Sequence, residues 1–448
     1  MIVMKFGGTS VGVPEHFEVA TRLVAERRAQ DPVVVVSALA GVTNLLAELA
    51  ARPARGPLEV MLARHREFLR ETGLAAPPLE DQLRAFGERA QWAVADRRQL
   101  NPAQRDELLA FGERMAAAIF AAGLQRLGVP ARAMDAGEAG LVTDDRFGAA
   151  HPLPEAYAAL ARGLAAREAV PVVTGFIGRT RDGRTTTLGR GGSDFSAAIL
   201  GAALGAAEIQ IWTDTSGMLS ADPRIVPEAR PVPRLSFAEA SELAYFGAKV
   251  LHPKTLLPAI ERQIPVRILN TTAPAQPGSL ITAEVEDPPQ GWHVKSIACK
   301  RGVTAVTIVS TRMLMAHGFL ARVFEVFGRH HVVVDLVTTS EVSISVTVDE
   351  ATHLDAALAE LEGIGTVEVR RGLAVVAVVG EGAPQRIGLA GHVFTLLGGV
   401  GVTIEMISQG ASRVNLSFVV AEDDAARTVR LLHRGLGLDV ETAITTAV

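Results

Sequence analysis

The chain has 448 residues, 48% hydrophobic, 21% charged and 5% aromatic, and its 49 acidic against 44 basic residues leave a net charge of -5. At about 150 residues per domain, that length predicts three folding units rather than one core. There are too few rings for a stacked single-strand nucleic-acid surface, no basic block to follow a phosphate backbone, and no apolar run near the ~18 residues a bilayer needs.

In chain order, Met1 to Phe6 and Val33 to Val36 read as buried parallel strands, with a helical stripe between them at Phe17, Ala20, Leu23 and Val24. Leu58 to Leu127 is helical, interrupted at Pro77-Pro78 and Pro102. Strands resume at Val170 to Ile177, Glu208 to Thr213 and Ile264 to Leu269, and Ser236 to Glu239 reads as a capping box. Alternating strands and helices predict a three-layer α/β domain. Thr272 to Gly291, dense in Pro and Gly, reads as a linker. Beyond it, residues 318–348 and 388–418 repeat at a constant offset of 70, pairing Asp335 with Glu405 and Thr338 with Ser408. Each copy reads helix, strand, strand, helix. Two such copies fit two small α+β units better than a solenoid.

The single cysteine, Cys299, excludes an intramolecular disulfide and a thiolate metal cage. Met1 to Ser10 lacks the basic and apolar regions of a secretory leader, so the expected location is cytoplasmic. Glycine is abundant, at 42 residues, and its informative members form two clusters. Lys5-Phe6-Gly7-Gly8-Thr9-Ser10 lies at a strand-to-helix turn, where paired glycines let backbone N–H groups approach an anion and Lys5 adds a cation. Thr185 to Asp194 runs into a second helix with three glycines and Arg190, which offers a bidentate clamp for carboxylate or phosphate. Asp194 also suits a simple helix cap. Two cradles in one domain suggest two anionic ligands, or two ends of one.

These clusters resemble aspartate kinase motifs, as do Ser37 to Asn44, Phe111-Gly112-Glu113-Arg114-Met115, Gly175 to Gly178, Trp212-Thr213-Asp214, Ala221 to Arg224 and Phe246 to Pro253. The resemblance covers essentially the whole chain. It implies an α/β amino-acid-kinase domain of three α/β/α layers over 1–285, then two α+β ferredoxin-like ACT domains over 300–372 and 373–448. The activity it implies is ATP-dependent phosphorylation of the L-aspartate β-carboxylate to 4-phospho-L-aspartate, which opens lysine, threonine and methionine synthesis. An aspartate side chain with a pKa near ~3.9 is already ionised at neutral pH, so this transfer needs positive charge and positioning rather than a general base. From the length, no fused homoserine dehydrogenase is expected.

By resemblance, Lys5 and Asp194 are catalytic, Lys5 on the phosphates and Asp194 orienting it. Gly7, Gly8, Thr9, Thr213, Asp214, Leu219, Arg224 and Lys249 join Lys5 in ATP binding, Leu219 standing where the family pattern has tyrosine. Arg190 clamps the aspartate α-carboxylate, Glu113 receives the α-ammonium, and Ser37 and Thr43 line the same pocket. From local sequence alone, an exposed helical charge is the more common fate of a residue such as Glu113, and Thr43 is equally an N-cap. The cofactor implied is ATP with Mg2+, the metal held mainly by the nucleotide phosphates, with no protein metal site. Met313, Phe319, Leu320, Asp335, Thr339, Ser340 and Glu341 match the lysine site of lysine-sensitive members, though Ala316 and Val333 replace hydroxyls there. Asp335 and Glu341 also suit a strand turn. The expected partners are aspartate, ATP, a lysine effector and a second copy in a homodimer through the ACT domains, with neither nucleic acid nor membrane. Alternatives are another amino-acid kinase, such as glutamate 5-kinase, and a non-catalytic amino-acid sensor.

Overall fold

The computed structural model describes residues 1–52, 54–95, 100–165, 168–247, 251, 253–285, 291–314, 317–349, 353–410 and 413–439. They divide into two compact units, Met1–Met218 with Pro233–Phe237 and Lys249–Val285, and Leu219–Val232 with Ala238–Ala248 and Glu286–Val448. Among the described residues no helix is long and apolar enough to cross a membrane.

The first unit is built on an eight-stranded sheet. Its strands are β1 (Ile2–Phe6), β2 (Pro32–Val36), β3 (Ala131–Met134) and β4 (Val170–Thr174), with β7 (Glu208–Thr213), β8 (Arg234–Ser236), β9 (Val266–Asn270) and β10 (Ser279–Thr282). A separate hairpin pairs β5 (Ile177–Arg179) with β6 (Thr185–Thr187). The sheet order is β3-β4-β2-β1-β7-β9-β10-β8, parallel except where β10 meets β9. β1, β2 and β4 are buried along their whole length, which is why they read as continuous apolar runs. Ile2, Met4 and Phe6 point into a core with helices Pro14–Glu26, Val42–Ala51, Arg55–Glu71 and Pro102–Arg126. Phe6, Phe17, Phe68 and Phe120 form its aromatic centre, with ring centroids 5.3 to 5.7 Å apart, each contact adding about 0.5–1.5 kcal/mol beyond area burial. Alternation sends Lys5 to the opposite face, where helix Gly192–Leu204 packs on β1. The sheet thus lies between helical layers, and β1, between β2 and β7, sits where the strand order reverses.

The segment expected as a linker contains a strand. Ser279–Thr282 forms β10, antiparallel to β9 and parallel to β8. Four residues are too few to show alternation, and the preceding Gly278 allows the close approach: a Cβ there would lie 1.9 Å from the Ile268 carbonyl oxygen.

The second unit carries one six-stranded antiparallel sheet, ordered β12-β13-β11-β14-β16-β15. Its strands are β11 (Ser296–Val309), β12 (Val334–Thr339), β13 (Ser343–Asp349), β14 (Thr366–Val379), β15 (Met406–Ser408) and β16 (Asn415–Ala421). β11 and β14 are 14 residues each and serve both repeats. The first repeat combines the later part of β11, helix Phe319–Arg329, β12, β13, helix Leu354–Leu361 and the start of β14. The second begins on Leu373–Val379 of β14 and is closed by Ser296–Arg301 of β11, a strand that precedes it in sequence. Gly302 (φ 71) and Gly372 (φ 70) stand at the register shift between the halves, a left-handed conformation that glycine adopts without a Cβ penalty. Two βαββαβ units therefore share their central strands, each with its own apolar core.

Candidate active site

Three parallel strands deliver the site from their carboxyl ends. β1 leads into Gly7 and Gly8, whose short helix Gly8–Val11 turns beside Ala38: a Cβ on Gly8 would lie 3.0 Å from the Ala38 carbonyl oxygen. Gly7 N–H donates to the Trp212 carbonyl at 3.0 Å, tying this turn to the end of β7. β2 leads into Ser37, whose N–H donates to the Phe6 carbonyl at 3.1 Å. β4 leads into Gly175 and Phe176, the latter at φ 66, with its N–H held by the Ser196 hydroxyl at 3.0 Å. A positive φ on a bulky residue costs about 1–3 kcal/mol, so the surrounding packing has to impose it.

These ends open on a cavity of about 520 Å³. Lys5, Ser37, Thr43, Glu113, Arg190 and Asp194, all singled out from sequence as catalytic or substrate-binding, line it together. Lys5 is 8% exposed and its Nζ lies 2.6 Å from Asp194 Oδ1. Asp194 sits in the first turn of helix Gly192–Leu204, whose N-cap is Gly191 at φ 71, so its carboxylate serves Lys5 rather than the cap position. The Arg190 guanidinium is exposed and has no ion-pair partner among the described residues. Thr43 lies inside helix Val42–Ala51, where Gly41 holds the N-cap position, and it too faces the cavity.

Glu113 is not an exposed helical charge. It is 3% exposed, accepts from Ala38 N–H at 3.2 Å through one oxygen, and its other oxygen is buried without a partner among the described residues. Burial pushes its carboxyl up to about 8, against the hydrogen bond from Ala38. Among the described residues no cation pairs with it, so that oxygen is left able to accept from a ligand.

Sequence reasoning missed Asp106. It lines the cavity, is 1% exposed, and accepts from Thr187 N–H at 2.7 Å, the Thr187 hydroxyl at 3.0 Å and Gly148 N–H at 2.9 Å. Burial pushes its carboxyl up while these hydrogen bonds pull it down. The available signal was helix Pro102–Arg126, whose stretch Leu108 to Leu124 is apolar or small on every side but for Glu113 and Arg114: such a helix is buried, and its charges need partners. Arg114, beside Glu113, donates to Asp135 at 2.8 Å, Glu107 at 2.9 Å and the Thr185 hydroxyl at 2.9 Å, locking that helix to the β5–β6 hairpin.

Residues 1–270 match the amino acid kinase family model, and 306–362 and 376–436 match an ACT domain. At 40% identity, 96% of the chain aligns with aspartokinase 1, chloroplastic, of Arabidopsis thaliana, covering 79% of that protein. At 39% identity, 97% aligns with lysine-sensitive aspartokinase 3 of Escherichia coli, covering 99% of it. The chain belongs to the aspartokinase branch of the amino acid kinase family. The crystal structure of E. coli aspartokinase III in complex with aspartate and ADP matches with a TM-score of 0.83 at 38% identity, over 97% of this chain and 99% of that one.

In this aspartokinase-family chain the remaining sequence expectations fall as follows. Thr213 and Asp214 lie at the end of β7, the Thr213 hydroxyl donating to Asp214 at 3.2 Å. Gly7, Gly8 and Thr9 follow β1 directly. Leu219 and Arg224 belong to the segment Leu219–Val232 of the second unit, where Arg224 pairs with Asp222 at 2.5 Å. Lys249 and Ala316 lie outside the described residues.

Of the proposed effector residues, Met313 and Phe319 pack in or against the core of the first repeat, and Leu320, Thr339, Ser340 and Glu341 are exposed. Asp335 does not sit free for a ligand. Its side chain is buried, bonded by the Tyr245 hydroxyl and by Lys300 Nζ at 2.7 Å, while Lys300 also meets Asp349 at 2.8 Å. Burial alone would lower the Lys300 ammonium, but the two carboxylates outweigh it and raise it. The Thr338 hydroxyl donates to the Ile407 carbonyl at 3.3 Å, so the two edge strands of the sheet approach each other.

Proposed function

We propose that this chain transfers the γ-phosphoryl group of ATP to the β-carboxylate of L-aspartate, giving 4-phospho-L-aspartate and ADP, and so supplies the first step of aspartate-derived amino-acid synthesis. The observation that carries this reading is the convergence on one cavity of an ammonium (Lys5), a carboxyl group (Glu113) and a guanidinium (Arg190), the last two without an ionic partner among the described residues. Glu113 and Arg190 suit the two charged ends of an amino acid, leaving its side-chain carboxylate for the lysine. That carboxylate is already a nucleophile at neutral pH, so no proton has to be removed. Lys5 offsets the charge that builds on the transferring oxygens, and Asp194 holds its ammonium in place. N–H groups of the Gly7–Thr9 turn cradle the phosphates, with Thr213 and Asp214 serving the rest of the nucleotide. The nucleotide would bring Mg2+, held mainly by its own phosphates, and the ion would add positive charge to that of Lys5.

A coupled assay of ADP formation with MgATP tests the reading. L-Aspartate is expected to support turnover and L-glutamate to be slower by 10-fold or more, because one extra methylene misplaces the reacting carboxylate. Preference for glutamate, or no acid-dependent ADP, would reject it.

The regulatory part of the proposal is that lysine inhibits through the first ACT unit of a cytoplasmic homodimer, at the positions Met313, Phe319, Leu320, Asp335, Thr339, Ser340 and Glu341. The name of the lysine-sensitive E. coli relative, the exposed Leu320 on helix Phe319–Arg329 and the exposed Val337 on edge strand β12 support it. An effector ammonium has to compete with Lys300 for Asp335. Lysine is therefore expected to slow the reaction in the same assay and threonine to leave it unchanged; the reverse pattern would overturn this assignment.

A further inference from the structure

Helix Pro102–Arg126 sends two carboxylates into the cavity from positions seven residues apart, two turns on one face. Glu113 has an oxygen to spare, whereas Asp106 has spent both on the protein. One Asp106 oxygen receives Gly148 N–H and Thr187 N–H together, and the other receives the Thr187 hydroxyl. Thr187 ends β6 and precedes Arg190 by three residues. Its carbonyl accepts Ala150 N–H at 2.9 Å, and a Cβ on Gly189 would stand 3.0 Å from the Gly148 carbonyl oxygen. The loop that carries Arg190 and the loop through Gly148 thus pack backbone on backbone, and Asp106 bonds both.

We propose that Asp106 is a positioning residue that fixes the separation of Glu113 from Arg190, and with it the length of amino acid the cavity accepts. The inference rests on the proposed aspartate kinase reading. One helix then sets both ends of the ruler: Glu113 acts on it directly, and Arg190 is held to it through Thr187. Arg190 itself has no ion-pair partner among the described residues, so the root of its loop decides where the guanidinium points. A clamp displaced by about 1 Å forfeits a large part of the binding and orientation it provides.

Two substitutions test this. Asp106→Asn turns an acceptor into a donor facing N–H groups, and Thr187→Val deletes only the hydroxyl bond at nearly constant volume. In the coupled assay Asp106→Asn is expected to raise the KM for aspartate about 10-fold or more and to narrow the preference for aspartate over glutamate, with the KM for ATP within about twofold. Thr187→Val should move the same quantities in the same direction by a smaller factor, and it decides the matter if Asp106→Asn does not fold. An unchanged KM for aspartate in a folded variant, or an equal rise in the KM for ATP, would overturn the positioning role. A wild-type protein without aspartate-dependent turnover would instead reject the reading of the cavity, so the two failures are separable.

Discussion

Lys5→Met is expected to lower kcat by about 10³-fold while leaving aspartate binding largely intact. The factor follows from removing one preorganised charge aimed at oxygens that gain charge only in the transition state, a loss of about 4 kcal/mol. The substitution also leaves the Asp194 carboxylate, 2.6 Å from the former ammonium, without its partner in a poorly solvated site. Breaking one side of such a pair destabilises, so a drop in kcat alone is ambiguous between chemistry and folding. The double substitution Lys5→Met with Asp194→Asn removes both charges. It should recover thermal stability relative to the single variant and remain as inactive, because both residues act on one step and their effects do not add. Turnover near the wild-type rate in the single variant would remove Lys5 from the mechanism.

The second large effect is expected at Glu113. In the free protein its carboxyl is pushed up to about 8 by burial, well above the ordinary 4.5, so the folded state holds the proton more tightly than the unfolded chain. That contribution to stability is complete below pH 4.5 and is lost as the pH rises through 8. Glu113→Gln keeps a neutral side chain at every pH and should therefore melt above the wild type at pH 9, the two converging near pH 4. Substrate binding runs the other way. An aspartate ammonium needs the carboxylate form, so between pH 6 and 8 binding expels a proton from Glu113, and kcat/KM for aspartate rises with pH. In Glu113→Gln that limb should vanish and the KM for aspartate should rise by about 10- to 100-fold, the cost of losing a charge-assisted hydrogen bond and ion pair. Calorimetric titration with aspartate in two buffers of different ionisation enthalpy measures the released proton. A value of zero at pH 7 for the wild type would contradict the pairing.

The sequence shows the first unit most clearly where burial is two-sided. Val33 to Val36 and Glu208 to Thr213 announce themselves as strands, and the paired glycines after Phe6 mark the turn at which Lys5 is exposed to a ligand. Lys5 and Asp194 are 189 positions apart, yet both are readable because each lies beside a glycine cluster that only a close backbone approach explains. Glu113 and Asp106 are harder. Local pattern assigns a charge on a helix to solvent, and only the apolar and small residues from Leu108 to Leu124, on every side but for Glu113 and Arg114, betray that the helix is central. The exchange of strands in the second unit is not readable at all. The repeat offset locates two copies, but that Ser296–Arg301 closes the second copy depends on pairing with residues 374–379, far along the chain. Asp335 likewise looks available to a ligand until Lys300 and Tyr245 are seen to converge on it. Proximity in space, not residue type, decides that case.

The reaction proposed for the cavity phosphorylates the side-chain carboxylate of aspartate. Hydroxylamine added to a reaction of protein, MgATP and L-aspartate converts an acyl phosphate into a stable hydroxamate, whose position mass spectrometry can assign. Formation of β-aspartyl hydroxamate in step with ADP, absent without aspartate and absent in Lys5→Met, is the predicted result. ADP release without hydroxamate, or a hydroxamate on the α-carboxyl group, would contradict the account.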